Sequence, residues 1–363
     1  MGFQCGIVGL PNVGKSTLFN ALSNTQIEAE NYPFCTIEPN VGVVAVPDKR
    51  IEKIAAIVKP QNIIPTHVKF VDIAGLVAGA SKGEGLGNKF LANIKETQAI
   101  IHVVRCHRDD DVIHVDGVIN PLNDISTIDT ELSLKDLESI EKSIAKNQKL
   151  LKTGDKLAKQ EMILLEKLQS SLQDKPLRQA PLDEDCIELA KQMNLLTIKP
   201  VLYVANISEK PTDIELKNLK EIEDFAKQEN AEVLSICAKI EQEISVLSDE
   251  DKLCFLEDLG LAESGLDRVI RASYNILNLM TYFTAGEKEV RAWTVRSGSK
   301  ADQAAGVIHS DFQKGFIRAE VIGFDDFIKY NGEKGAKEAG VWRLEGKEYI
   351  VQDGDLMLFR FNV

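Results

Sequence analysis

A glycine-rich stretch near the N-terminus combines residue types that bind phosphate. Residues 9–17 read GLPNVGKST and match the pattern G-x-x-x-x-G-K-[ST] between an apolar strand and a helix. Glycines allow backbone N–H groups to turn inward around phosphate oxygens, and the N-terminus of the following helix adds a positive dipole. The lysine carries charge for the outer phosphates, and the hydroxyl after it is a ligand for Mg²⁺. A tight glycine turn without a ligand is the alternative that this context disfavours. The residues predicted to surround the phosphates are Asn12, Val13, Gly14, Lys15, Ser16 and Thr17.

Two further segments complete a predicted metal site. The apolar strand KFVDIAG (69–75) ends in the pattern Asp72-x-x-Gly75. A carboxylate at this strand end can hold Mg²⁺ through water, and the glycine amide can sense the terminal phosphate. Thr36, in the segment NYPFCTIEPN, is either a second ligand of Mg²⁺ or a simple turn hydroxyl. The predicted metal ligands are therefore Ser16, Thr36 and Asp72.

The group that activates water does not follow the pattern of small GTPases. Those enzymes place a glutamine after D-x-x-G, whereas this chain has Leu76, which forms no side-chain hydrogen bond. Catalysis must then depend on another residue, a partner or an ion. Asn12 is either a ligand for K⁺ through its amide oxygen or only a turn residue, and His114 either positions water or lies on a surface loop. The candidate catalytic residues are Lys15 and His114.

The segment HVVRCHRDDDVIH (102–114) concentrates histidine, cysteine and aspartate, so a metal cluster must be considered there. His102 and Cys106 are four residues apart on one strand, which places them roughly 13 Å apart along an extended chain. That separation is too large for the two side chains to share one zinc ion, and we expect no metal cluster in this segment.

The segment VANISE (204–209) bears on the choice of purine. GTPases carry Asn-Lys-x-Asp at such a strand end, and the aspartate accepts hydrogen bonds from N1–H and the 2-amino group of guanine. Here Ile207 replaces the lysine, and Glu209 is one methylene longer than aspartate. Asn206 carries an amide that both donates and accepts, so it suits either purine. We predict Asn206 and Glu209 as base contacts, with adenine at least as acceptable as guanine.

Composition indicates a cytoplasmic protein of several domains. The 363 residues are 44% hydrophobic and 27% charged, which allows two or three domains with cores of their own. No apolar run reaches the roughly 18–20 residues that span a bilayer, so we expect no membrane segment. Six scattered cysteines without a Cys-x-x-Cys pair are typical of a reducing compartment. The net charge of −13 disfavours indiscriminate binding to nucleic acid, except through a local patch or the C-terminal region.

Strands that alternate with helices predict a mostly parallel α/β sheet wrapped by helices. This alternation is interrupted between about 128 and 198, where apolar residues recur at helical spacing. The interruption is either a core helix pair or, as we expect, a projecting helical hairpin with a turn near residue 154. Its apolar stripes are Leu137, Ile140, Ile144 and Leu151 in the first helix, and Leu157, Leu164, Leu168 and Leu172 in the second.

After about residue 278, short alternating strands around one helical segment predict a β-grasp module. The predicted division of the chain is 1–127 and 199–277 for the nucleotide-binding domain, 128–198 for the hairpin and 278–363 for the module. Basic residues of the module form either one face or a scattered surface; they are Arg291, Arg296, Lys300, Lys314 and Arg318.

Taken together, these motifs resemble the YchF-type Obg-like ATPases. The resemblance rests on GLPNVGKST, NYPFCTIEPN, FVDIAGLVAGASKGEGLGN, DDDVIHVDG, the N-x-x-E at 206–209 and VQDGDLMLFRF, and it covers essentially the whole chain. It implies a P-loop domain of GTPase-like fold that is interrupted by an antiparallel coiled coil, and a C-terminal TGS domain. It also implies a preference for ATP, Mg²⁺ at Ser16 and Thr36, and assistance of hydrolysis by His114. Association with the ribosome is a further implication.

We therefore expect a slow ATPase whose nucleotide state controls its grip on the ribosome or a structured RNA. A GTPase is one alternative, against which Ile207 and Glu209 argue. The other is an RNA-binding adaptor that senses ATP without hydrolysing it, and Leu76 favours this reading. We expect the chain to be a monomer.

Overall fold

The computed structural model describes residues 3–25, 40–73, 91, 93–108, 119–152 and 154–362. The chain forms two compact units, and each of them is discontinuous in sequence. The first unit consists of Met1–Val43 and Lys69–Val269, and the second of Val44–Val68 and Ile270–Val363.

The strands of both units are β1 (Gln4–Val8), β2 (Val41–Ala45), β3 (Asn62–Ile64), β4 (His67–Asp72), β5 (Ala99–Arg105), β6 (Val201–Asn206), β7 (Glu232–Ile236), β8 (Leu279–Ala285), β9 (Glu289–Arg296), β10 (Phe316–Ile322), β11 (Arg343–Glu345) and β12 (Leu356–Phe361). The helices are α1 (Lys15–Asn24), α2 (Lys49–Val58), α3 (Pro121–Leu151), α4 (Lys156–Asp174), α5 (Glu184–Gln192), α6 (Asp213–Gln228), α7 (Ala238–Ile244), α8 (Asp249–Asp258), α9 (Gly265–Ile276), α10 (Ala301–Ile308), α11 (Ser310–Lys314), α12 (Phe324–Lys329) and α13 (Glu333–Glu338).

The sheet of the first unit has the order β2-β4-β1-β5-β6-β7. β1 pairs in parallel with β4 and β5, and β6 pairs in parallel with β5 and β7. Every residue of β5 and β6 is buried, as expected for central strands that are covered on both faces. The carboxyl ends of β1, β4, β5 and β6 therefore lie along one edge, where ligands bind in open α/β sheets. The predicted α/β fold class is confirmed.

α3 and α4 form the predicted hairpin. Asp155 begins α4, and its carboxylate accepts hydrogen bonds from the backbone N–H groups of the first turn. The buried residues of α4 are Ala158, Met162, Leu165, Leu168 and Leu172. Leu157 is 75% exposed, so its place in the predicted apolar stripe is wrong, because the buried face of α4 begins one residue later, at Ala158.

Buried polar contacts attach the hairpin to the rest of the first unit. Asp136 of α3 is fully buried and accepts hydrogen bonds from the backbone N–H groups of Leu196 and Thr197, each at 2.8 Å. Arg178, in the turn after α4, donates to both carboxylate oxygens of Asp129 at 2.7 Å and to Glu229 at 3.1 Å. Because buried charges are tolerated only when they are paired, these contacts fix the base of the hairpin against the sheet.

The second unit contains a mixed sheet with the order β11-β10-β12-β8-β9-β3. α10 covers one face of this sheet through an apolar cluster that includes Ala304, Tyr282 and Phe359. On the other face, Ile54 of α2 packs in a second cluster with Phe283. A helix on a small mixed sheet is the arrangement predicted for the C-terminal region.

The segment 44–68 belongs to this second unit, although the sequence analysis assigns it to the nucleotide-binding domain. It supplies α2 to the apolar cluster and β3 to the sheet edge, where β3 pairs in parallel with β9. The C-terminal module is thus completed by an early part of the chain.

The basic residues of the C-terminal module do not form one face. Arg291 and Arg296 are five residues apart on β9, so their side chains leave opposite faces of the sheet. Arg291 lies 4.0 Å above the ring of Trp293, and Lys300 pairs with Glu348. Among the described residues, each helix is too short or too polar to cross a bilayer.

Candidate nucleotide-binding site

The phosphate loop follows β1 and depends on glycine at two positions. Gly14 has φ +95, and a Cβ atom there would lie 2.2 Å from Nδ2 of Asn206. A Cβ atom on Gly9 would lie 2.7 Å from the backbone oxygen of Val103. Only glycine fits these two positions, because larger residues would collide with neighbouring strands and would disfavour positive φ at residue 14.

The loop leads directly into α1, whose first turn is suited to an anion. Gly14 is the N-cap residue and has no side chain to accept from the first backbone N–H groups, and the first turn contains no acidic residue. The first N–H groups of a helix lack partners within the helix and carry the positive end of its dipole. This end of α1 therefore presents donors and positive potential to a phosphate group.

Lys15 and Asp72 lie together at the edge of the sheet. Nζ of Lys15 is 2.6 Å from Oδ1 of Asp72, and Lys15 is 7% exposed. Ser16 is exposed in the first turn of α1. The hydroxyl of Ser16 and the carboxylate of Asp72 are hard oxygen donors of the kind that Mg²⁺ prefers, so the described residues fit that ion. The other predicted positions, Thr36, Gly75, Leu76 and His114, lie outside the described residues.

Asn206, at the end of β6, connects the loop to the next strand. Its Nδ2 donates to the backbone oxygen of Val13 at 3.0 Å, and its Oδ1 accepts from the N–H of Ala238 at 3.1 Å. The side chain is 4% exposed. Asn206 therefore acts as a brace of the phosphate loop, a role that the sequence analysis missed; its predicted contact with the purine stays a prediction.

The turn after Asn206 is held by a side-chain hydrogen bond. Oγ of Ser208 donates to Oε2 of Glu215 at 2.6 Å, and Glu215 also closes the capping box of α6. Glu209 is exposed on this turn, and Ile207 is half-buried beside it. A cation that would lie along a purine is therefore missing from position 207.

Arg105, the last residue of β5, is a second brace that the sequence analysis missed. It is 2% exposed, and its guanidinium donates to the backbone oxygens of Asn12 at 3.2 Å and His107 at 3.0 Å. Arg105 and Asn206 are partners in the pairing of β5 with β6. An arginine at the end of an otherwise apolar buried strand was the only signal for this role in the sequence.

His102 lies in β5, and Cys106 directly follows that strand; both residues are buried in the core. Burial lowers the pKa of His102 to about 3, and the ring lies 5.6 Å from that of Tyr203. Burial also raises the pKa of the Cys106 thiol to about 12. Both groups are therefore uncharged at neutral pH and pack as small hydrophobic residues.

Known proteins resemble the chain along its whole length. A Haemophilus influenzae protein named Ribosome-binding ATPase YchF is 61% identical over 364 residues, and the match covers 100% of both chains. The chain belongs to the YchF family. A Bacillus subtilis YchF of the same name is 55% identical over 368 residues, also across 100% of both chains.

A solved YchF structure has the same architecture. The structure of the Schizosaccharomyces pombe YchF GTPase matches with a TM-score of 0.87 and 36% identity, and the match covers 99% of this chain and 98% of that one. Within the chain, residues 4–167 match a family model described as "50S ribosome-binding GTPase". Residues 279–362 match the YchF C-terminal model, described as "Protein of unknown function (DUF933)". The predicted resemblance to YchF is confirmed. The two bacterial relatives are named ATPases, whereas the S. pombe relative is named a GTPase.

Proposed function

We propose that the chain is a P-loop ATPase whose nucleotide state controls its binding to the ribosome. The observation that carries this proposal is the phosphate loop itself, in which Gly14 and Asn206 are packed together and Lys15 lies beside Asp72. The names of the bacterial relatives, ribosome-binding ATPases, support both parts of the proposal.

In this proposal, groups of the chain itself bind the triphosphate and its metal ion. The backbone N–H groups of residues 13–17 bind the phosphates, and Lys15 carries charge for the outer ones. Mg²⁺ would be held by Ser16, Thr36 and Asp72. Mg²⁺, when bound, offsets the negative charge that the transferred phosphoryl group carries. Gly75 senses the terminal phosphate.

Hydrolysis is expected to be slow without a partner. Leu76 offers no hydrogen bond to the attacking water, so we propose that His114 positions it. Asn12 is exposed at the outer side of the loop, with φ 64 and its backbone oxygen held by Arg105. We propose the amide oxygen of Asn12 as a ligand for K⁺, a monovalent ion that would supply charge near the phosphates.

The choice of ATP over GTP rests on the turn after β6. Ile207 provides no cation, and Glu209 is exposed rather than held against a base. Adenine has no N1–H or 2-amino donor, so a site without a fixed carboxylate loses nothing with adenine. GTP remains the second candidate substrate, because the S. pombe relative is described as a GTPase.

A monomer in the cytoplasm fits the partner proposed here. Cysteines at positions 5, 106, 186, 237 and 254 are free thiols, as in a reducing compartment. The ribosome, with its structured RNA, is the proposed partner.

Calorimetric titration with Mg²⁺-ATP and Mg²⁺-GTP tests the proposal. We expect clear preference for ATP, and loss of binding in Lys15→Ala but not in Lys217→Ala, which removes an exposed lysine from α6. ATP turnover is then measured with and without ribosomes and K⁺, and co-sedimentation with ribosomes is compared in ATP and ADP. Preference for GTP would refute the assignment of the base, and equal ribosome binding in both nucleotides would refute nucleotide control.

A further inference from the structure

Helix α8 exposes apolar side chains of a kind that helices usually bury. A surface helix normally turns an apolar stripe toward the core. Among the described residues of α8, Leu256 alone is buried, whereas Leu253 is 63% exposed. Exposed apolar residues also lie just before and just after the helix, where Val246 is 70% and Leu261 is 43% exposed. We define the α8 surface as residues 246–261.

The α8 surface is also strongly acidic. It contains five acidic residues and one lysine. The lysine, Lys252, is already paired with Asp267 at 3.4 Å. Among the ion pairs of the described residues, none includes an exposed carboxylate of this surface, so the negative charge is uncompensated. These exposed carboxylates belong to Glu250, Asp251, Glu257 and Asp258.

Helical spacing places apolar and acidic side chains on one face of α8. Glu250, Leu253 and Glu257 are three and four residues apart, so they lie in successive turns on the same side of the helix. Leu253 therefore lies between two carboxylates on a helix about 15 Å long. An exposed apolar group with charge of one sign on both sides is suited to an amphipathic partner of the opposite charge.

Helix stability accounts for the acids at the start of α8 but not for those at its end. The hydroxyl of Ser248 donates to Asp251 Oδ2 at 2.7 Å, and the N–H of Asp251 donates back to Ser248 Oγ at 3.2 Å. Negative charge in the first turn also interacts favourably with the helix dipole. At the C-terminal end the dipole has the opposite sign, yet Glu257 and Asp258 lie there, and the last turn contains no basic residue. These two carboxylates disfavour the helix, whereas a cationic partner would favour them.

We infer that the α8 surface docks a basic, amphipathic segment of a ribosomal protein. A ribosome offers RNA phosphates, which this surface repels, and proteins that bind those phosphates, which must carry lysine and arginine. A second copy of the α8 surface would be repelled as well. Apolar groups of the segment cover Leu253 and Val246, and its cations pair with the exposed carboxylates. The inference rests on the ribosome-binding part of the proposed function and names a surface and a partner for it.

Charge neutralisation in the full chain tests the inference. The acid variant carries Glu250→Gln, Glu257→Gln and Asp258→Asn. Asp251 is left unchanged because it is hydrogen-bonded to the N-cap residue Ser248. Both the acid variant and a matched control lose the same charge, so only its position differs. The control makes the same kinds of change at exposed acids of α5: Glu184→Gln, Glu188→Gln and Asp185→Asn.

The apolar part of the surface is tested separately. Leu253→Ser is compared with Ile214→Ser, which changes a 72% exposed isoleucine of α6. Affinity for purified 70S ribosomes is measured by co-sedimentation, with Mg²⁺-ATP and with Mg²⁺-ADP. We expect the acid variant and Leu253→Ser each to bind at least about fivefold more weakly than wild type. Both controls should stay within about twofold of wild type.

The thiol of Cys254, next to Leu253, identifies the class of the partner. Cys254 is exposed, so a benzophenone maleimide is attached to it in a chain that carries Cys35→Ser and Cys237→Ser. In the control, the label is attached to α5 through Lys191→Cys in the same chain with Cys254→Ser. After irradiation with 70S ribosomes and digestion with ribonuclease, we expect the label at Cys254 to be joined to a ribosomal protein, and the control label to give no such product.

Equal ribosome affinity of the acid variant and its α5 control would overturn the inference. Tighter binding by the acid variant, or a cross-link from Cys254 to RNA, would overturn it as well, because the surface would then face phosphates. If affinity depends on the α8 surface but is equal in ATP and ADP, the proposed nucleotide control fails and the inference stands. If the two nucleotides differ and the α8 surface has no effect, the inference fails and the proposed function stands.

Discussion

Replacement of Asn206 by aspartate separates its role as a brace from its predicted contact with the purine. The aspartate keeps an oxygen that can accept from Ala238 N–H, but it loses the N–H that donates to Val13 O at 3.0 Å. The change keeps the shape of the side chain, removes one hydrogen bond from the phosphate loop and, when the carboxyl group is ionised, places a negative charge beside the Val13 oxygen.

The expected cost follows from the burial of the groups involved. Asn206 is 4% exposed, and the Val13 oxygen would be left without its donor. An unsatisfied buried acceptor costs about 1–3 kcal/mol. We expect this cost to be divided between lower stability and weaker nucleotide binding, because binding then has to order the loop again. If all of it falls on binding, the affinity decreases by about 5-fold to about 150-fold.

The assay compares three ligands on wild type and the variant: ATP, GTP and inorganic tripolyphosphate, all with Mg²⁺, in competition with a fluorescent nucleotide. A brace acts on the phosphates, so the affinities for all three should fall by the same factor. Urea denaturation measures the share of the cost that appears as lower stability. Asn206→Ala removes both hydrogen bonds without adding a charge, so it measures the brace apart from the charge of the aspartate.

Unchanged tripolyphosphate affinity together with weaker ATP binding would refute the brace, because it would place the effect of Asn206 on the base. A change in the ratio of ATP to GTP affinity would point the same way.

Three further outcomes follow from described contacts. Gly14→Ala should abolish ATP binding in calorimetry, because the new methyl group would lie 2.2 Å from Asn206 Nδ2. His102→Leu should remove a source of acid sensitivity: burial lowers the pKa of His102 to about 3, so below about pH 6.5 only the unfolded chain gains this proton. As the pH falls from 7.5 to 5, the free energy of unfolding of wild type should therefore decrease by about 2 kcal/mol more than that of the variant in denaturation experiments. Asn147→Leu should stabilise the protein by about 1–2 kcal/mol, because Asn147 Nδ2 is buried and has no hydrogen-bond partner among the described residues.

Each of these has a result that contradicts it. ATP binding by Gly14→Ala with unchanged affinity would mean that the loop moves away from Asn206 at little cost. The same pH dependence in wild type and His102→Leu would mean that His102 is protonated in the folded protein. Lower thermal stability of Asn147→Leu would mean that the Asn147 amide makes a stabilising contact within the hairpin that a leucine cannot replace.

The fold class was predictable because its signals are local. β5 and β6 are apolar runs of strand length, and the phosphate-binding pattern identifies the order of a strand, a loop and a helix. The hairpin was predictable from helical spacing, and Leu168 and Leu172 of α4 are buried as predicted, but Leu157 is exposed. Spacing identifies the apolar stripe of a helix, whereas the residue at which burial begins depends on where the neighbouring helix ends.

The braces of the phosphate loop were not predictable in the same way. The motif identifies Lys15 and Ser16 by type and position. The contacts of Arg105 with Asn12 and of Asn206 with Val13 depend on the register of β5 with β6 and on the path of the loop. These are long-range relations, which the sequence of each segment does not contain.

The placement of residues 44–68 was also missed, for a related reason. β3 is three residues long and only partly buried, and it pairs with a strand more than two hundred positions later in the chain. α2 is an ordinary amphipathic helix by its pattern. The pattern shows that α2 must bury one face, but not which sheet covers that face.

This discontinuous second unit has a consequence for how the protein is made. The apolar face of α2, with Ile51 and Ile54, is synthesised early, while its partners Phe283 and Val290 come near the end of the chain. Between Val68 and Ile270 lie roughly 200 residues, which take about 10–40 s to translate at ~5–20 residues per second. During that time the nascent chain keeps an uncovered apolar helix, which is a natural target for chaperones. A chain released before β8 is made would lack Phe283 and Val290 and would leave that helix uncovered, which marks it for quality-control proteases.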